Sequence, residues 1–71
     1  MKTRSKEEVD EMARSLGCTE FKTLIDWHWI EDFPTENLAL GFVDWLELHG
    51  WEHRGVYSNF PIDGKFSVRY R

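Results

Sequence analysis

TEFKTLIDWHWIEDF, residues 19–33, admits two readings, and the fold follows from the choice between them. As a strand, Phe21, Thr23, Ile25, Trp27 and Trp29 share one face, opposite Glu20, Lys22, Asp26 and His28, and Leu24 breaks the alternation. As a helix, Phe21, Leu24, Ile25 and Trp29 form a stripe behind a Thr19 cap, and Trp27 and Ile30 fall off it. β-Branched and aromatic side chains suit a pleated surface, so the strand is preferred.

The flanks are clearer. Ser5-Lys6-Glu7-Glu8 reads as a capping box, in which the Ser5 hydroxyl accepts the Glu8 amide and the Glu8 carboxylate accepts the Ser5 amide. Val9, Met12, Ala13 and Leu16 follow at helical spacing, and Gly17 supplies a stop, which predicts a helix over 6–16. On the other side, Pro34 ends whatever precedes it. Thr35 then caps a second helix running to about His49, with Glu36 in its first turn. Leu38, Ala39, Phe42, Val43, Trp45 and Leu46 fill one arc of that helix, and Gly50 ends it.

Beyond it, Trp51–Phe60 and Lys65–Tyr70 read as two strands joined through Pro61-Ile62-Asp63-Gly64, with Asp-Gly expected at positive φ. Phe66, Val68 and Tyr70 fall on one face of the last strand and Ser67, Arg69 and Arg71 on the other. The expected fold is therefore α+β, in the order α-β-α-β-β: two helices packed on a three-stranded sheet that ends in a C-terminal hairpin. The helical reading of 19–31 gives instead three helices plus a hairpin, a winged-helix-like outline. Met12–Thr19 resembles the first half of a helix-turn-helix. The second half departs from that pattern, with Thr23 and Asp26 at positions that call for apolar residues.

Seventy-one residues make one domain, residues 1–71. A chain of this size buries only about 60% of its unfolded surface, so its core needs large side chains. It has them: 41% of residues are hydrophobic and eleven are aromatic, four of them tryptophan. That density permits folding without a metal or disulfide, and it leaves some apolar side chains to face outward. The single cysteine, Cys18, cannot close an internal disulfide, which points to a reducing, cytoplasmic setting. The charged amino terminus is not that of a signal peptide, and no run reaches the ~18 apolar residues of a membrane span.

Net charge is −4, unevenly spread. Residues 1–52 hold twelve acidic and five basic side chains, whereas 53–71 hold Arg54, Lys65, Arg69 and Arg71 against Asp63 alone. The acidic majority argues against wrapping duplex DNA.

No motif points to catalysis or a cofactor. His49 and His53 have the spacing of helical metal ligands, but Gly50 between them should end the helix, so no metal site is expected. Cys18 with a histidine is the one nucleophile–base pair available. It would be activated only if a helix started at Thr19.

Two surfaces remain. On the second helix, Leu40, Asp44 and Leu48 form an i, i+4, i+8 seam beside Glu47, opposite the core arc. This reads as a contact strip for another protein, or for a second copy in a homodimer. In the C-terminal hairpin, Arg54, Lys65, Arg69 and Arg71 alternate with aromatics including Tyr57, a pattern that can hold single-stranded nucleic acid. The leading expectation is a small non-enzymatic protein-binding module, an inhibitor or adaptor docking on a larger intracellular protein. Its size and composition are similar to those of small phage- or mobile-element-encoded regulators that block a basic or nucleic-acid-binding surface. The alternative is a nucleic-acid-binding domain working through the hairpin.

Overall fold

The computed structural model describes all of residues 1–71. Its elements run α1 (Lys6–Ser15), β1 (Phe21–Leu24), β2 (Trp27–Phe33), α2 (Glu36–Leu48), β3 (His53–Ser58) and β4 (Phe66–Tyr70). The strands form one antiparallel sheet in the order β1-β2-β4-β3, with both helices on the same face. The fold is α+β, as expected, with one more strand.

The extra strand comes from the ambiguous stretch. Residues 19–33 are extended, not helical, but they fold back on themselves at Ile25-Asp26. Leu24, the residue that interrupts the alternation, pairs with Trp27 across that turn. This register joins odd positions of β1 to even positions of β2. Phe21 and Thr23 therefore share the helix-facing side with His28 and Ile30, while Trp27 and Trp29 lie on the opposite side with Lys22 and Leu24. The expectation that Phe21, Thr23, Trp27 and Trp29 share a face is corrected by the turn. With β1 where a second helix would stand, the winged-helix and helix-turn-helix outlines do not apply.

Ile25 adopts φ 56 in that turn and is 94% exposed. A β-branched residue in the left-handed region crowds its own backbone, at a cost of about 1–2 kcal/mol. Ile25→Gly is therefore expected to stabilise the protein by about 1 kcal/mol, raising the melting temperature by roughly 4–8 °C. A melting temperature that falls on this substitution would contradict the strain.

Both helices begin as their caps dictate. Ser5 Oγ accepts the Glu8 amide at 3.2 Å, Glu8 Oε1 accepts the Ser5 amide at 3.1 Å, and Thr35 Oγ1 accepts the Leu38 amide at 3.2 Å. Gly17 and Gly50 follow them at φ 100 and φ 80. The core joins Val9 and Ala13 of α1 to Ala39, Phe42, Val43 and Leu46 of α2, over Ile30, Phe33, Val68 and Tyr70 of the sheet.

The last hairpin differs from expectation in its connection. Neither Asp63 nor Gly64 takes a positive φ. The loop is longer: the Asn59 amide donates to the Lys65 carbonyl, and Asp63 Oδ1 accepts the Lys65 amide at 2.9 Å. β3 also carries an irregularity between His53 and Val56, where Gly55 sits at φ 78. The extra residue lets His53 and Val56 both face the helices while Arg54 and Tyr57 both face away. No helix is long and apolar enough to cross a membrane.

Candidate binding surfaces on opposite faces

Because both helices cover one side of the sheet, the other side has no layer over it. β1 contributes Lys22, β2 contributes Trp27 and Trp29, β4 contributes Arg69, and Arg71 follows directly. On either side of Gly55, β3 adds Arg54 and Tyr57. Strand alternation makes these side chains neighbours, and they stack. The Arg69 guanidinium lies 3.7 Å from the Trp29 ring centroid and 4.4 Å from that of Tyr57. Arg71 and Arg54 approach Trp27 at 4.5 and 5.2 Å, and Lys22 approaches Trp29 at 5.2 Å. All are within the ~6 Å over which a ring face attracts a cation.

The cations are not equally free. Lys22 pairs with Glu31 at 2.9 Å and Arg71 with Glu52 at 2.8 Å. Arg54 and Arg69 have no carboxylate partner. Arg69 Nε and Trp29 Nε1 are buried within the stack without a hydrogen-bond partner. Hydrogen bonding to Glu52 raises Arg71 further above its ordinary value, so its charge is permanent.

Of the hairpin residues singled out in the sequence, Arg54, Tyr57, Arg69 and Arg71 come together here. Lys65 does not; it stays in the β3–β4 loop, where its charge acts on Asp32. Trp27, Trp29 and Lys22 were missed. Reading Leu24 as the start of a turn would have found them.

The helical layer has the opposite character. It carries Glu7, Glu8, Asp10, Glu11, Glu36, Asp44 and Glu47 against Lys6 and Arg14. On the outer arc of α2, Leu40 is 46% and Leu48 76% exposed, with exposed Asp44 between them. Glu47 flanks this seam but is engaged, its Oε1 lying 2.7 Å from His53 Nε2. Gly41 occupies the same arc. It is exposed, and a Cβ built on it would meet nothing within 4 Å. The folded chain imposes no need for glycine there, although mid-helix glycine costs about 0.5–1 kcal/mol relative to alanine.

The remaining polar candidates are engaged separately. His28 Nδ1 lies 3.0 Å from Thr23 Oγ1, and His49 Nδ1 lies 2.7 Å from Thr3 Oγ1. No three histidine, cysteine or acidic side chains gather as a metal site would require. Cys18 is buried beside Asp32, with a strand rather than a helix following it. Burial, and then the Asp32 charge, push its thiol up to about 12. The condition for an activated thiol, a helix starting at Thr19, is not met.

A scan against protein-family models returns no match, and searches of curated proteins and of solved structures return none either. The geometry therefore carries the functional reading alone.

Proposed function

We propose that this chain is a non-enzymatic protein-binding module, an inhibitor or adaptor that docks on a larger protein through the outer face of α2. The observation that carries this reading is the arc of Leu40, Gly41, Asp44 and Leu48. It combines two exposed leucines with a glycine that the fold itself does not require. A bare position in mid-helix lets another backbone approach closely, and the flanking leucines supply apolar area. The surrounding carboxylates select the occupant: an apolar groove on the partner with a basic rim. Cys18, free and buried, suits a reducing compartment such as the cytoplasm.

The test compares three forms of the chain as bait in lysate of its native cell. Leu40→Asp/Leu48→Asp is expected to stay folded by circular dichroism and to retain less than a tenth of the partner captured by the natural sequence. Gly41→Ala is expected to be more stable by about 0.5–1 kcal/mol, yet to bind more weakly, because its methyl group holds the partner away. Equal capture of the same proteins by the natural and double-variant baits would end the proposal. Sedimentation addresses a second copy as the occupant. A monomer is expected, and a dimer lost on Leu40→Asp/Leu48→Asp would replace the foreign partner with a homodimer.

A further inference from the structure

We infer that the helix-free face of the sheet is a binding site for single-stranded nucleic acid. The inference is independent of the docking reading, because it concerns the opposite side of the molecule. Three observations support it. First, the guanidinium groups of Arg54, Arg69 and Arg71 lie over the rings of Trp27, Trp29 and Tyr57, 3.7–5.2 Å from their centroids. Clustered rings and guanidinium groups offer an unpaired base surfaces to stack on, and the arginines offer donors for phosphate.

Second, the charge is available. Arg54 and Arg69 have no carboxylate partner, and Arg71 shares an exposed ion pair that a phosphate can replace at little cost. Glu31 and Glu52 offset Lys22 and Arg71 at this face, so its net positive charge comes from Arg54 and Arg69, while the larger acidic excess lies on the helical layer. Third, the shape selects single strands. A sheet face offers no helix or ribbon to enter a duplex groove, whereas exposed ring and guanidinium planes need bases that are not already stacked. Tyr57, 38% exposed at the edge of the cluster, is the ring of this face most open to a base.

With about three phosphates engaged, affinity should fall with a log–log salt slope near −2, or roughly 20-fold between 50 and 200 mM salt. The probes are fluorescein-labelled oligo(dT) and oligo(rU) of about 12 nucleotides, a length within the range one small domain covers. They are titrated with the intact protein by anisotropy. Binding is expected for one or both, and their ratio shows whether the ribose hydroxyl contributes.

Arg54→Glu/Arg71→Glu is expected to weaken binding at least tenfold at 50 mM salt. Tyr57→Ala, which removes stacking but no charge, is expected to weaken it several-fold without changing the salt slope. Circular dichroism verifies that each variant is folded, and Tyr57→Ala alone serves if the double variant is not. Poly-glutamate distinguishes a nucleic-acid site from one for an acidic protein. Four outcomes would overturn the inference: no oligonucleotide binding at 100 μM protein, equal binding by the folded double variant, unchanged binding by Tyr57→Ala, or poly-glutamate competing as well as the oligonucleotides.

Discussion

Asp32→Ala is expected to cost about 3 kcal/mol and to lower the melting temperature by more than 10 °C. Asp32 stands near the end of β2 and is only 6% exposed. Its carboxylate accepts the Thr19 amide at 3.0 and 2.8 Å, the Glu20 amide at 3.0 Å and the Thr19 hydroxyl at 2.8 Å. These are the groups that lead from α1 into β1. The link is tight there, because Gly17 packs against the Pro34 ring and Cys18 is buried. Truncation would leave two backbone donors and a hydroxyl unsatisfied in a partly buried place. That deficit is what makes the loss large. Cavity formation is secondary, since the side chain is small.

The pH dependence separates this account from simple loss of packing. Burial pushes the Asp32 carboxyl up, but the Glu20 amide and the hydroxyl and amide of Thr19 bind its charged form and hold it below the ordinary value of 3.8. A carboxyl whose folded pKa lies below its unfolded one stabilises the fold fully above the unfolded value. The contribution is lost as pH falls through the folded value. Urea midpoints of the natural sequence and of Asp32→Asn should therefore differ most at neutral pH and converge at an acid pH below the folded value. A gap equally wide at both pH values would show that the charge on Asp32 is not what binds the link.

The expectations that held rest on local chemistry. Ser5 with Glu8, and Thr35 before Leu38, specify helix starts within four residues, and nothing distant overrides them. The alternation of Phe66, Val68 and Tyr70 was legible because β4 is a central strand with one face on the core. The turn at Ile25-Asp26 was not legible, since an isoleucine at positive φ runs against the residue preferences from which turns are read. That single omission placed both tryptophans on the wrong face and removed Trp27, Trp29 and Lys22 from the basic–aromatic surface. Asp63-Gly64 failed in the opposite sense. The turn residues are present, but the Asp63 side chain bonds to the Lys65 amide in a longer loop. The bulge at Gly55 depends on pairing with β4, beyond the reach of sequence spacing.

Tyr70→Ala is expected to remove about 3–5 kcal/mol, against a total stability of about 4–10 kcal/mol for a chain of this length. That is about a third or more of the total, so the melting temperature should fall by more than 10 °C. Tyr70 is fully buried at the point where four elements meet. Its backbone pairs with His28 of β2 and His53 of β3, and its ring lies 5.1 Å from His28 and 5.3 Å from Trp51. Its hydroxyl donates to Asp10 Oδ1 of α1 at 2.5 Å.

Asp10 is itself buried, with Lys6 on its other oxygen at 2.7 Å. The hydroxyl thus ties α1 to the sheet through a carboxylate that has little access to water. Tyr70→Phe isolates that bond. It keeps the ring packing and is expected to cost about 1.5–3 kcal/mol, the range for a hydrogen bond to a charged group. The pair Tyr70→Phe and Tyr70→Phe/Asp10→Leu sharpens the test. If the buried Asp10 Oδ1 left without its hydroxyl donor is the source of the loss, replacing Asp10 with an apolar side chain should recover part of the stability. A double variant less stable than Tyr70→Phe would mean instead that Asp10 holds α1 mainly through Lys6.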